Sequence, residues 1–200
     1  MTAFPELLVL RHGETGWNRE GRMQGSLDSE LTELGQAQAR MQNAILRRAG
    51  VAGFDWFVSP RGRTVQTARI ASEGLGAELN IEPRLAEIDM GLWTGRLHDE
   101  IAAEAPELFD PAAPLAFYHA IPGGERLPEV HDRLAAFLAE LRRPAVVVTH
   151  GIASRLLRCI ALGLPWQAFE TLEGGQGVVY RVRAGRSERL VEENADKGGI

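Results

Sequence analysis

Cysteine is nearly absent from this chain: Cys159 is its only one in 200 residues. One thiol closes no disulfide, and Cys159 falls in the periodic segment from Ile152 to Leu164, where it reads as core; a reducing compartment is the expected setting. Long apolar runs are missing too. No stretch approaches the roughly 18 residues of a membrane span, and only Met1 to Pro5 precede the first strand signal, so a cytoplasmic protein without membrane contact is expected. Lysine is almost wanting, since all but Lys197 of the 22 basic residues are arginine. Such a skew follows most simply from GC-rich codon usage, so an arginine acquires meaning only from its position. Net positive charge is lacking as well: at −5 the chain has no basic footprint for a phosphate backbone, which argues against nucleic acid as a partner. The five histidines are scattered and none pairs at zinc-ligand spacing, so neither metal nor other cofactor is expected.

What is present suffices for one domain over 1–200, because 200 residues with 44% hydrophobic content can bury a core unaided. Strand patterns occur at Glu6–Leu10, Trp56–Ser59, Ala145–Thr149 and Val178–Val182, with a weaker edge candidate at Glu78–Ile81. Helical patterns lie between them at Thr32–Ala49, with Thr32 as N-cap, and at Arg61–Glu73, Leu127–Leu141 and Ile152–Leu162. This alternation predicts an α/β fold: a three-layer α/β/α sandwich with a mostly parallel sheet covered on both faces. The stretch 94–124, broken by Pro106, Pro111, Pro114 and Pro122, reads as a small helical cap insert, and about 192–200 as a disordered tail. Trp166, Phe169 and Leu172 suit core or an interface, and the oligomeric state stays open between monomer and homodimer.

Two apolar runs end in the same way. LLVLRHG delivers Arg11 and His12 to a glycine turn, and AVVVTHG delivers His150. In an open α/β sheet ligands bind at the carboxyl ends of strands, so His12 and His150 are expected to share one crevice.

Six segments in order, LRHGETGWN, MQGSLDSELTELGQAQA, SPRGRTVQTA, LAEIDMGLWTG, PGGER and VVTHG, resemble the histidine phosphatase superfamily, which includes cofactor-dependent phosphoglycerate mutases and many small phosphatases. The resemblance implies that His12 is a nucleophile that becomes phosphorylated. It also implies that Arg11 and Arg63 grip the transferring group, that His150 donates to a phosphoryl oxygen and that Glu87 is the general acid. Asn18, Gln24 and Gly25 then line the phosphate pocket, while Gly13 and Gly151 allow close backbone approach. This chain has Arg61 where the superfamily has an apolar residue and Thr64 where it has alanine. Asp89, two residues beyond Glu87, is the alternative acid.

These residue types suit phosphoryl transfer on chemical grounds. An imidazole with one nitrogen tied to an acceptor keeps a lone pair on the other. Guanidinium forks match phosphate oxygens bidentately, and a leaving alkoxide needs a proton. The resemblance implies a small phosphate ester as the substrate class. Between Leu97 and Glu125 there is no Lys or Arg, whereas a mutase that holds a carboxylate and two phosphates needs several cations over the pocket. The expected activity is therefore a metal-independent phosphomonoesterase with water as acceptor. The alternatives are a cofactor-dependent mutase and a non-catalytic phosphate-binding regulatory member.

Overall fold

The computed structural model describes residues 4–113 and 115–192. The first strand, β1 (Leu7–Arg11), shows why the sheet is central: Leu7 and Val9 pack to one side and Leu8 and Leu10 to the other, all fully buried. An apolar run with no polar alternation suits a strand covered on both faces. It is followed by α1 (Gly16–Glu20), α2 (Glu33–Ala49), β2 (Asp55–Val58), α3 (Gly62–Ala71) and β3 (Leu79–Ile81). Then come α4 (His98–Glu104), α5 (Ala116–His119), α6 (Leu127–Glu140), β4 (Ala145–Thr149) and α7 (Gly151–Leu162), and the hairpin of β5 (Val179–Arg183) and β6 (Arg186–Leu190).

The sheet order is β3-β2-β4-β1-β5-β6. The first four strands run parallel, and β5 and β6 pair antiparallel at one edge. Ile45 and Leu46 of α2 and Ala68 and Ala71 of α3 cover one face; Leu134 and Phe137 of α6 and Leu156 and Leu157 of α7 cover the other. This is the expected α/β/α sandwich. Phe169 is fully buried among the second group, as is Cys159, so both belong to core. No helix among the described residues is long and apolar enough to cross a membrane.

Element limits differ from the sequence expectation by one or two residues at most ends, and two elements were not expected. The polar sequence of β6, RSERL, hides an edge strand whose charges suit an unpaired rim. Its hairpin turns through Ala184 and Gly185, both at positive φ, without the Asn-Gly signal that usually marks such a turn. Helix α1 is only five residues long and too short to show a period. The segment 94–124 carries α4, α5 and a 3-10 turn at Pro106–Phe109, short helices of the kind expected for an insert. Residues 193–200, on which most of the expected tail falls, lie outside the described residues, as does Pro114.

Candidate active site

The site begins with strand register. β1 and β4 are parallel neighbours that pair Arg11 with Thr149, and the His12 amide donates to the Thr149 carbonyl at 3.0 Å. The next residues on the two strands, His12 and His150, are thereby brought side by side, with ring centroids 5.2 Å apart edge to face. His12 Nδ1 lies 2.8 Å from its neighbour's carbonyl oxygen, that of Gly13, an acceptor only, so Nδ1 carries the proton and Nε2 is left with its lone pair. His150 Nε2 lies 2.7 Å from Ser59 Oγ at the end of β2, while its Nδ1 is buried with no partner among the described residues. Burial holds both imidazoles well below their ordinary pKa. For His12 the charges of Arg11 and Arg63 add to that effect, and for His150 those of Arg63 and Arg11 do. Both rings are therefore neutral at pH 7.

A cavity of about 620 Å³ opens over this floor, lined at its base by Arg11, His12, Asn18, Gln24, Arg63 and Glu87. Gly25 and Gly151 also border it. His150, edge to face with His12, is wholly buried and does not itself border the cavity. Of the two candidate arginines, Arg63 reaches the cavity, whereas Arg61 borders a separate cleft. Arg63 is held by Asp28 Oδ1 at 2.7 Å and the Gly25 carbonyl at 3.1 Å, and Asp28 also accepts from the Gly62 and Arg63 amides at the start of α3. The Nε atoms of Arg11 and Arg63 and the Nδ1 of His150 are buried without a partner among the described residues.

Glu87 sits across from these cations at the N-terminus of α7. Its carboxylate accepts from the Ile152 amide at 3.2 Å, the Ala153 amide at 3.1 Å and the Ile88 amide at 3.1 Å, a placement that the helix dipole favours. Arg133 of α6 ties its backbone down by donating to the Glu87 carbonyl at 3.3 Å and to Glu125 at 2.7 Å. The PGGER loop locks the same turn: Gly91 has φ +46, and a Cβ there would collide with the Pro122 carbonyl. Asp89 points elsewhere, accepting from the Gly91 amide and bordering the separate cleft of about 430 Å³ that Glu87 also touches.

Asn18 is set by a reciprocal cap on α1. Its amide donates to Thr15 Oγ1, and its Oδ1 accepts from the Thr15 amide at 3.3 Å and from Gln176 Nε2 at 3.2 Å. With Oδ1 doubly used, Nδ2 is the part of Asn18 left for the cavity. The Gly13 requirement is one of space: a Cβ there would strike the Gly35 carbonyl, and one on Gly35 would strike that of Glu14. The Gly13 amide donates to Thr67 and the Glu14 amide to Gln38.

Sequence reasoning missed Asp28, Ser59 and Gln176, and also Arg155 of α7, which borders the cavity. Asp28 lies within a motif already noted, while Gln176, far along the chain, gave no signal. His98 also borders the cavity. Among the described residues no group of three or more His, Cys, Asp or Glu side chains is placed to hold a metal ion.

The chain matches the histidine phosphatase superfamily (branch 1) over residues 7–197. It is 35% identical over 169 residues to phosphoserine phosphatase 1 of Hydrogenobacter thermophilus, covering 82% of this chain and 79% of that protein. It is 38% identical over 166 residues to GpmB of an Enterobacter species, a protein whose name assigns it to the phosphoglycerate mutases, covering 80% and 76%. Among solved structures, a mycobacterial glucosyl-3-phosphoglycerate phosphatase superposes with a TM-score of 0.77 at 31% identity, over 94% of this chain and 98% of that one.

Proposed function

We propose, from the premise that this chain belongs to branch 1 of the histidine phosphatase superfamily, that it is a metal-independent phosphomonoesterase working through a phosphohistidine. The observation that carries this reading is the neutral His12, with Nδ1 tied to the Gly13 carbonyl and Nε2 left beside Arg11 and Arg63. In the first step the Nε2 lone pair attacks phosphorus, the ester P–O bond breaks, and Glu87 in its protonated form delivers a proton to the leaving oxygen. Arg11 and Arg63 bind the equatorial oxygens, joined by Asn18 Nδ2 and by His150 Nδ1–H once Ser59 Oγ–H donates to its Nε2. In the second step water attacks the phosphohistidine, Glu87 takes its proton, and inorganic phosphate leaves with His12 neutral again. Gln24, Gly25 and Gly151 shape the phosphate end, and Gly13 keeps the nucleophile's turn against α2.

The substrate is a small phosphate ester, and the names of the relatives, two phosphatases and one mutase, leave hydrolysis and isomerisation as the two readings. Identity to GpmB favours the second. The cap, with no Lys or Arg from 97 to 125, favours the first. Phosphate release from a panel of monoesters in EDTA, beside a phosphoglycerate mutase assay with and without 2,3-bisphosphoglycerate, separates them. Chelator-resistant release without isomerisation is expected, whereas primer-dependent isomerisation overturns the reading. His12→Ala should abolish turnover and the acid-labile phosphoenzyme that radiolabelled substrate forms.

A further inference from the structure

Helix α2 buries one stripe, Gly35, Ala39, Gln42, Ile45 and Leu46, and Gln42 is its polar member, with no exposed surface. A primary amide on an apolar face is costly unless its N–H groups are used. Gln42 Nε2 donates to the Arg11 carbonyl at 2.9 Å and to the Val178 carbonyl at 3.1 Å, while Oε1 is buried with no partner among the described residues. Both partners are acceptors only, which decides the end of the amide that faces them. They lie where two strands part. β1 and β5 pair antiparallel up to Leu10 and Val179, and the residues next in register, Arg11 and Val178, fall outside that ladder. Gln42 takes up their carbonyls in place of a strand.

The peptide that joins Arg11 to His12 is thereby held from two sides. Its N–H, that of His12, donates to Thr149 on β4, and its C=O, that of Arg11, accepts from Gln42 on α2. A trans peptide is planar, so the two bonds fix its plane and constrain how the Arg11 and His12 side chains leave it. Val178 stands two residues beyond Gln176, whose Nε2 donates to Asn18 Oδ1 at 3.2 Å. One turn earlier on α2, Gln38 accepts from the Glu14 amide at 2.7 Å, and its Cγ lies 3.2 Å from where a Cβ on Gly177 would stand. Helix α2 therefore meets the β1 turn and the loop before β5 at two successive levels. We propose that Gln42, which lies outside the six motifs, is a positioning residue for the phosphate end of the cavity. Its one amide ties the Arg11–His12 peptide to the loop that carries Gln176, so that guanidinium, imidazole and the Asn18 amide keep one relative placement. This rests on the reading of that end as the phosphate site.

Inorganic phosphate, titrated calorimetrically, is the probe. Gln42→Met keeps the length of the side chain and removes both donors. It should weaken phosphate about tenfold, the effect of one lost hydrogen bond of ordinary strength, and lower kcat/KM on p-nitrophenyl phosphate at least as much. Ile45→Val, the next buried position on the stripe, should lower the urea midpoint and leave phosphate affinity within about twofold. Gln176→Ala should weaken phosphate severalfold in the wild type but less than about twofold in Gln42→Met, because the tie on which it depends is already gone. Unchanged affinity in Gln42→Met, an equal loss in Ile45→Val, or two losses that simply multiply overturns the proposal and leaves the phosphatase reading standing. Gln42→Asn, whose amide stops one methylene short of the carbonyls, takes the same place in the cycle if Gln42→Met does not fold. If the wild type neither binds phosphate nor hydrolyses the ester, the phosphatase reading fails, and amide hydrogen exchange decides the tie. Faster exchange in Gln42→Met confined to residues 11–15 and 173–178 upholds it, and exchange that is unchanged or raised throughout the chain rejects it.

Discussion

His12 and His150 are neutral because they are buried beside guanidinium groups, and this has consequences in two opposite directions for pH. For activity, His12, the proposed nucleophile, stays unprotonated well below the ordinary histidine value of 6.5. Arg11→Gln removes one of the charges that hold it down, so the acid limb of kcat/KM should move to higher pH, on top of a loss in rate; a pH profile of both proteins checks this. For stability the sign is unfavourable in acid. The unfolded chain takes up protons on these two imidazoles below about pH 6.5, whereas the folded chain does not until much lower pH. Stability is therefore greatest above that pH and declines as pH falls toward the folded pKa values. Urea midpoints should drop between pH 7.5 and 5.5, and by less in His150→Asn. Glu87→Gln should lower kcat by a factor of about 10² or more on alkyl phosphates and much less on p-nitrophenyl phosphate, whose leaving group needs no proton. The two histidines, the arginine beside one of them and Glu87 were legible because each stands in a dense local motif. Arg155 was not, since a lone arginine on an amphipathic helix looks the same whether it faces solvent or a cavity.

At the scale of elements, the contact between the β1 turn and α2 is made at two glycines: a Cβ on Gly13 would meet the Gly35 carbonyl, and one on Gly35 the Glu14 carbonyl. Gly35→Ala should cost about 2 kcal/mol or more in urea unfolding, since backbone on both sides has nowhere to retreat. Thr32→Ala should cost about 1 kcal/mol, because Thr32 Oγ1 accepts from the Gly35 amide at 3.0 Å to cap α2. The loop before β5 is an outlying support of the same site. Arg158, buried under the Tyr180 ring at 3.7 Å, donates to the Glu173 carbonyl, and Tyr180 donates to that of Gly174, which fixes the loop from which Gln176 reaches Asn18. Gln176→Ala should raise KM severalfold across phosphate esters with little change in the urea midpoint. Helices α2, α3, α6 and α7 were legible because each is long enough for its apolar stripe to repeat. The capped turn of α1 and the charged edge of β6 carry no such stripe, and only tertiary pairing defines them.

For the whole molecule, the order β3-β2-β4-β1-β5-β6 means that β4 joins two halves of the sheet. The parallel core was legible in the alternation of apolar runs with helical periods, but the insertion of a late strand between two early ones was not, because adjacency in a sheet leaves no mark on local sequence. Arg11, His12, Arg63 and Glu87 all precede β4, and yet His12 has no fixed backbone partner until Thr149 arrives. On a ribosome working from the amino end, most of the candidate site emerges long before the strand that aligns it. Assembly of the candidate site and completion of the sheet are therefore one event, and a nascent or prematurely terminated chain that lacks β4 has no Thr149 carbonyl to hold the His12 amide.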